Sequence, residues 1–247
     1  GLGTYRGAAD DATDEAYRHA LAHGLRNGLN VVDTGAHFRF GRSPKAVGAA
    51  VRDAVEAGVP REALFLVAKG GFVTFPDGVP DDPEAWFKHN ILRKGLGDPG
   101  DLAAGCHLLS PAYIAAQLEQ CRRDMGVETL DCFIVDQPEV HIPEIGKEAV
   151  NNKLQQVYRV LEMAVQAGRL RSYGLATNKS WRVATDDELF LSLTGQQGLA
   201  EKAAGEGKPH HFTTIQLPYN ATQLEGFTRF NQATGQGNVA STLQAAF

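Results

Sequence analysis

The stretch Gly28-Leu29-Asn30-Val31-Val32-Asp33-Thr34-Gly35-Ala36-His37-Phe38 decides the fold. Residues 30–33 form a short apolar run. They follow a segment whose apolar residues Ala16, Tyr17, Ala20, Leu21 and Leu25 recur at helical spacing, with Thr13 as its expected N-cap. Helix, strand, then a carboxylate at the strand's C-terminal end is the order of a βα unit. Barrels built from such units gather their chemistry at those ends.

The same alternation runs outward from this unit. Residues 1–5, 64–69, 132–135, 173–176 and 211–217 read as further strands. Ser43-Pro44 opens one helix as cap and first-turn proline. Pro111–Met125 forms another, capped by Ser110 and stopped by Gly126, with Ile114, Leu118, Cys121 and Met125 on one face. Leu154, Val157, Leu161 and Ala164 mark a third, ending at Gly168, and residues 239–247 read as the start of one more. The expected fold class is α/β, a (β/α)8 TIM barrel with about six of its eight units present, in a single domain over 1–247 that is incomplete at its C-terminus. An open α/β sheet is the alternative, although six strands leave two apolar edges unpaired in either case.

One stretch breaks the rhythm. Residues 70–109 are rich in Gly, Pro and Asp, including Pro76-Asp77-Gly78 and Asp98-Pro99-Gly100. A connection this long inside a compact domain is usually functional or disordered. Because it leaves the third strand at its C-terminal end, it is expected either to cover the barrel mouth as a lid or to pack on the rim. Ala85-Trp86-Phe87 and Ile91-Leu92 offer it a helical turn with an apolar face.

Composition narrows the class. The 247 residues are 43% hydrophobic, enough for a large core, and the net charge of −5 carries no electrostatic footprint for nucleic acid or an anionic membrane. The basic group Arg169, Arg171 and Lys179 suits a helix C-terminus better than a polyanion. Cys106, Cys121 and Cys132 lack metal-type spacing and fit a reducing cytoplasm, and no apolar run approaches the roughly 20 residues of a membrane span. Gly1-Leu2-Gly3 lacks the rest of a dinucleotide-binding glycine motif.

The strand ends hold the candidate site: Asp33 after the second, Lys69 after the third, Asp136 after the fourth, Ala176, Thr177 and Asn178 after the fifth, and Gln216 after the sixth. A lysine among carboxylates at successive ends forms a cluster able to shift pKa values. His37, next to Phe38, is expected as a partly exposed loop residue, and Cys106-His107 as packing. Glu139 and His141 face either substrate or solvent, and His210-His211 is expected at the barrel bottom, facing water.

Asp33-Thr34-Gly35-Ala36-His37-Phe38 resembles the aldo-keto reductase signature Asp-Thr-Ala-x-x-Tyr. The run Leu130-Asp131-Cys132-Phe133-Ile134-Val135-Asp136-Gln137-Pro138 resembles that family's fourth-strand motif, and Arg169–Leu175 and Ile215-Gln216-Leu217-Pro218-Tyr219-Asn220 resemble its fifth and sixth strands. Gly1-Leu2-Gly3-Thr4 agrees as well. The resemblance implies a barrel that binds NADP(H) and reduces small carbonyl substrates. It assigns Asp33 and Lys69 as the retained catalytic pair, and Thr4, Thr177, Asn178 and Gln216 as cofactor contacts. Two catalytic positions depart: Phe38 stands where the family has its proton-donating tyrosine, and Asp136 where it has histidine. Asp136, if protonated, could orient or protonate substrate. The function expected is therefore NADPH-dependent reduction of an aldehyde, ketone or activated alkene. The alternative is an impaired pseudoenzyme barrel that binds a ligand, cofactor or partner.

Overall fold

The computed structural model describes residues 1–76 and 78–247; Asp77, at the centre of the expected Pro76-Asp77-Gly78 turn, lies outside the described residues. The chain opens with strand β1 (Leu2–Gly3), helix α1 (Asp11–Arg26), β2 (Val31–Asp33), α2 (Arg42–Glu56) and β3 (Phe65–Gly70). An insertion follows, comprising α3 (Pro83–Asn90) and the hairpin of β4 (Leu102–Ala103) and β5 (His107–Leu108). Then come α4 (Pro111–Met125), β6 (Leu130–Asp136), α5 (Ile142–Ile145), α6 (Lys147–Gln166), β7 (Leu170–Ala176), α7 (Leu193–Ala204) and β8 (Phe212–Gln216). The chain ends in α8 (Glu225–Thr228), a second hairpin of β9 (Phe230–Gly235) and β10 (Asn238–Ser241), and α9 (Thr242–Ala245).

Six strands form one sheet in the order β1-β2-β3-β6-β7-β8, every neighbouring pair parallel. The sheet curls as a barrel wall, since the Gln216 side chain at the end of β8 reaches Asp33 at the end of β2. Alternation along each strand sorts the two faces. Leu66 and Ala68 of β3, and Phe133 and Val135 of β6, face the helices and join the main core, whereas Val67, Cys132, Ile134 and Ala176 form a separate inner cluster. Lys69 and Asp136 each stand two residues beyond an inner-face residue, so the same period carries them into the barrel mouth. The inner wall is tight at β7: a Cβ on Gly174 would lie 1.9 Å from the Thr214 carbonyl oxygen, so only glycine fits beside the register shift there.

Several local expectations are corrected. The strand expected over 1–5 is β1, two residues long. Helix α1 is capped by Asp10, whose carboxylate accepts from the Thr13 amide, so Thr13 is the third residue inside the helix and not its cap. Ser43 does not cap α2 either. Left-handed Gly41 precedes that helix, and the buried Ser43 hydroxyl donates to the Thr4 carbonyl, fastening α2 to the end of β1. Ser110 precedes α4 but donates to the Leu96 carbonyl instead of the helix amides, while Gly126 (φ 66°) does stop that helix. Over 239–247 a strand and a single helical turn replace the expected helix. Polar side chains drive this outcome. Asn231 donates to the carbonyls of Trp181 and Val183, Gln232 accepts from the Leu193 amide, and Thr242 donates to Trp181, stitching the hairpin to the segment between β7 and α7.

The insertion over 70–109 has its own small core, in which Ile91, Leu108 and Tyr113 gather Val73, Trp86, Phe87 and Leu102. Lys153 of α6 pairs with Asp101, and Glu144 of α5 accepts from the Ala104 amide, so the insertion is fastened to α5 and α6. Two of its residues, Phe72 and His107, reach the barrel mouth.

Candidate active site

Asp33 and Lys69 leave neighbouring parallel strands and form an ion pair between Asp33 Oδ1 and Lys69 Nζ. Asp33 Oδ2 accepts from Gln216 Nε2 at 3.0 Å, so one carboxylate ties three strands together across the mouth. Lys69 is 7% exposed, and its ammonium lies 5.3 Å from the centroid of the Phe38 ring. That contact adds a cation–π attraction to the ion pair.

Phe38 is buried edge-on to Tyr5 and His37, with ring centroids 5.0 and 4.8 Å away. Its position depends on Gly35. A Cβ there would come within 2.9 Å of Phe38 Cδ1 and Cε1, so the benzene ring lies directly over the glycine. The backbone then turns through left-handed Arg39 and Phe40 (φ 52° and 57°) before α2. Buried Arg39 supports that turn by pairing with Asp14 and donating to the Ala8 carbonyl.

Asp136 is 7% exposed. Burial pushes its carboxyl up to about 6; Lys69 opposes the rise and Asp33 reinforces it. Among the described residues its one ion-pair contact within 4 Å is His37, at 3.7 Å from Nε2 to Oδ2. His37 is a partly exposed loop histidine, as expected, and burial, aided by Lys69, still pulls it down to about 4, so the imidazole is neutral. The αR backbone at His37 (φ −91°, ψ −8°) sets its ring and that of Phe38 side by side, so consecutive residues share one site.

Beneath Asp136 lies a histidine pair that sequence reasoning missed as a unit. His107 Nε2 contacts the Asp136 carbonyl oxygen at 2.6 Å, and its Nδ1 lies 2.9 Å from His141 Nε2. A carbonyl can only accept, so His107 carries its proton on Nε2 and accepts from His141 Nε2–H. Burial holds both rings neutral, at about 3 for His107 and about 4 for His141. Glu139 is also buried, where a solvated loop was one expectation; its Oε1 accepts from the Asn178 amide at 2.6 Å and sets the loop after β7. His211 is no plain surface residue, since its Nδ1 meets buried Glu162 at 2.7 Å. Glu139 and His141 were signalled only by their nearness to the end of β6 in sequence, and His107 by nothing of the kind.

Two clefts meet at Asp136. One, of about 570 Å³, is lined by Asp33, Lys69, Asp136, Thr177, Asn178, Gln216 and Tyr219 among others. The second, of about 340 Å³, is lined by Tyr5, His37, Phe38, Phe72, Asp136 and Gln137. Asn178 stands exposed in the first with its amide donating to Gln137. Thr177 is buried, and its hydroxyl accepts from the Trp181 amide, so less of it is free for a ligand than expected. Thr4 is 1% exposed and lines neither cleft; its hydroxyl lies 2.9 Å from Thr34 Oγ1 and 3.2 Å from the Asp33 carbonyl oxygen, so it supports the end of β2. No group of three or more His, Cys, Asp or Glu side chains among the described residues is placed to hold a metal ion.

With Asp33 and Lys69 paired at strand ends of a parallel barrel wall, the comparison with known proteins is decisive, since the aldo/keto reductase family model matches residues 1–189. The chain belongs to the aldo/keto reductase family. No curated protein matches it. Among solved structures it is similar to an aldo-keto reductase from Bacillus halodurans in its holo form (17% identity, TM-score 0.55, covering 89% of this chain and 52% of that one). It is also similar to one from Klebsiella pneumoniae in complex with NADPH (19%, 0.52, 89% and 53%) and one from Bombyx mori in complex with NADP (17%, 0.51, 88% and 53%). The chain thus spans about half the length of these family structures. Their likeness supports the fold: the parallel six-stranded sheet is the wall of an aldo/keto reductase barrel.

Proposed function

We propose that this chain is an NADPH-dependent oxidoreductase that reduces an aldehyde, ketone or activated alkene at the junction of the two clefts. The observation that carries the reading is the Asp33–Lys69 pair, held by Gln216 beside a buried carboxyl at the shared wall of two cavities. An ion pair kept half out of water costs free energy unless its geometry is put to use.

The larger cleft suits the cofactor. Asn178 and Gln216 present carboxamides at its floor, matching the donors and acceptors of a nicotinamide carboxamide, and the ring of half-exposed Tyr219 stands at its edge. Structures from Klebsiella pneumoniae and Bombyx mori that share the fold hold NADPH and NADP. When bound, the cofactor supplies hydride. The chain's own residues do the rest. Lys69 concentrates positive charge where a carbonyl oxygen gathers negative charge, and Asp33 keeps that ammonium in place. Asp136, with its carboxyl raised to about 6, is protonated in about a tenth of molecules at pH 7 and can hand that proton to the oxygen. Phe38 and Phe72 keep the second cleft apolar around the substrate. The three free cysteines, two of them buried, fit a cytoplasmic setting.

The second reading is a binding barrel without chemistry, favoured by Phe38, whose ring has no proton to give. Fluorescence titration with NADPH tests the proposal. Saturable binding in the micromolar range, weakened by Gln216→Ala, is expected. Absence of binding at millimolar NADPH would remove the oxidoreductase reading.

A further inference from the structure

The smaller cleft has an unusual charge pattern. Its six lining residues are Tyr5, His37, Phe38, Phe72, Asp136 and Gln137, so its walls are aromatic and its one charged group at neutral pH is a carboxylate. Lys69 lies over the Phe38 ring without lining the cavity; it is ion-paired with Asp33, and its charge is felt by His37 and Asp136. Aromatic walls around a buried carboxylate recognise organic cations, by quadrupole attraction and by charge. A neutral ketone gains neither. A carbonyl also needs an acid at its oxygen, which Phe38 cannot be and which Asp136 supplies only in the minority of molecules that hold its proton.

Resting on the reductase reading above, we propose that this cleft takes a protonated imine, an iminium cation, and that the chain reduces C=N⁺ in preference to C=O. The step balances without a tyrosine. The iminium carbon accepts hydride from the reduced nicotinamide dinucleotide and forms the new C–H bond. The C=N π pair becomes the lone pair of a neutral amine, and the dinucleotide is left oxidised. The substrate arrives carrying its proton, and the product amine takes its next proton from solvent. Asp136 faces the positive nitrogen as counter-ion, while Phe38 and Tyr5 cover the ring-bearing part.

Two measurements on the full chain test this. The first is cofactor-free calorimetric titration with N-methyl-3,4-dihydroisoquinolinium, a permanent iminium, against 1-tetralone, a neutral ketone of the same ring size. The cation is expected to bind about tenfold tighter or more. Asp136→Asn should remove most of that preference, and Phe38→Leu should reduce it with the carboxylate still in place. Equal binding of the two probes overturns the proposal. The second is NADPH oxidation with 3,4-dihydroisoquinoline and with 1-tetralone, the imine being expected to turn over with the higher kcat/KM. Reduction of the ketone without the imine overturns this inference and leaves the reductase reading standing; failure to bind NADPH overturns both.

Discussion

Replacing Gly35 by alanine probes the packing that distinguishes this site. Elsewhere in a folded chain, with a φ that L-residues accept, Gly→Ala stabilises by about 0.4–1 kcal/mol through the unfolded state. Here the new methyl would lie 2.9 Å from two Phe38 ring carbons and 3.2 Å from a third, all inside ordinary contact distance. The ring has nowhere easy to go, with Tyr5 and His37 edge-on to it and the Lys69 ammonium over its face. Overpacking of this kind costs about 1–3 kcal/mol, which outweighs the entropic gain and leaves Gly35→Ala destabilised by about 1–2 kcal/mol. The partner variant Phe38→Leu removes the ring, so in that background the alanine should be neutral or stabilising. The assay is urea denaturation of the four proteins of the double-mutant cycle, with m-values compared to confirm a common denatured state. A coupling energy of about 1 kcal/mol or more is expected. If Gly35→Ala stabilises the parent chain as it does the Phe38→Leu variant, the ring does not lie on Gly35 and the argument for Phe38's position fails.

Other outcomes follow from the buried charges. Lys69→Met should lower NADPH-dependent turnover by about 100-fold while changing NADPH affinity much less, read from steady-state kinetics beside a binding titration. The raised carboxyl of Asp136 contributes stability that is full below pH 3.8 and is lost as pH rises through about 6. Asp136→Asn should therefore make the protein more stable at pH 8, by about 1–3 kcal/mol in denaturant unfolding. His37, His107 and His141 act oppositely: their stability is present above pH 6.5 and is lost as pH falls through about 4 to 3. Three histidines outweigh one carboxyl, so Tm should fall between pH 6.5 and 4, and fall more steeply in Asp136→Asn. His107→Phe should cost about 2–4 kcal/mol, because it strands both the Asp136 carbonyl and the His141 N–H in the interior.

The barrel wall was legible because it rests on local rules. Helical spacing in α1, apolar runs in β3 and β6, and Asp33 at a strand end each follow from period and position alone, and parallel pairing follows from their alternation. The C-terminal hairpin was not legible. Residues 239–247 have a pattern that suits a helix, and what overrides it is long-range: Asn231, Gln232 and Thr242 satisfy backbone groups between Trp181 and Leu193 that no local reading brings near. In the site, Asp33, Lys69, Asp136 and Gln216 were placed correctly at one mouth, since strand order fixes strand ends. His37 is the partly exposed loop residue expected, yet it also lines the second cleft beside Phe38, because the αR backbone at His37 sets the two side chains about 100° apart and not on opposite sides. Thr4 lines neither cleft, because its hydroxyl is used inside the sheet, which its place in the sequence does not reveal. His107 joined the site through an insertion hairpin, and nothing in its own neighbourhood of sequence announced that.

The central claim is that Asp33, Lys69 and Asp136 still support hydride transfer without a tyrosine. The most direct measurement is isotope transfer: incubate the chain with NADPH deuterated at nicotinamide C4 on each face in turn, plus an aldehyde, a ketone and a conjugated enone, and analyse products by mass spectrometry. The account predicts one deuterium per product from one face only, abolished in Lys69→Met. No deuterated product with either labelled cofactor, in a protein that binds NADPH, would contradict it and leave a barrel that holds the cofactor without using it.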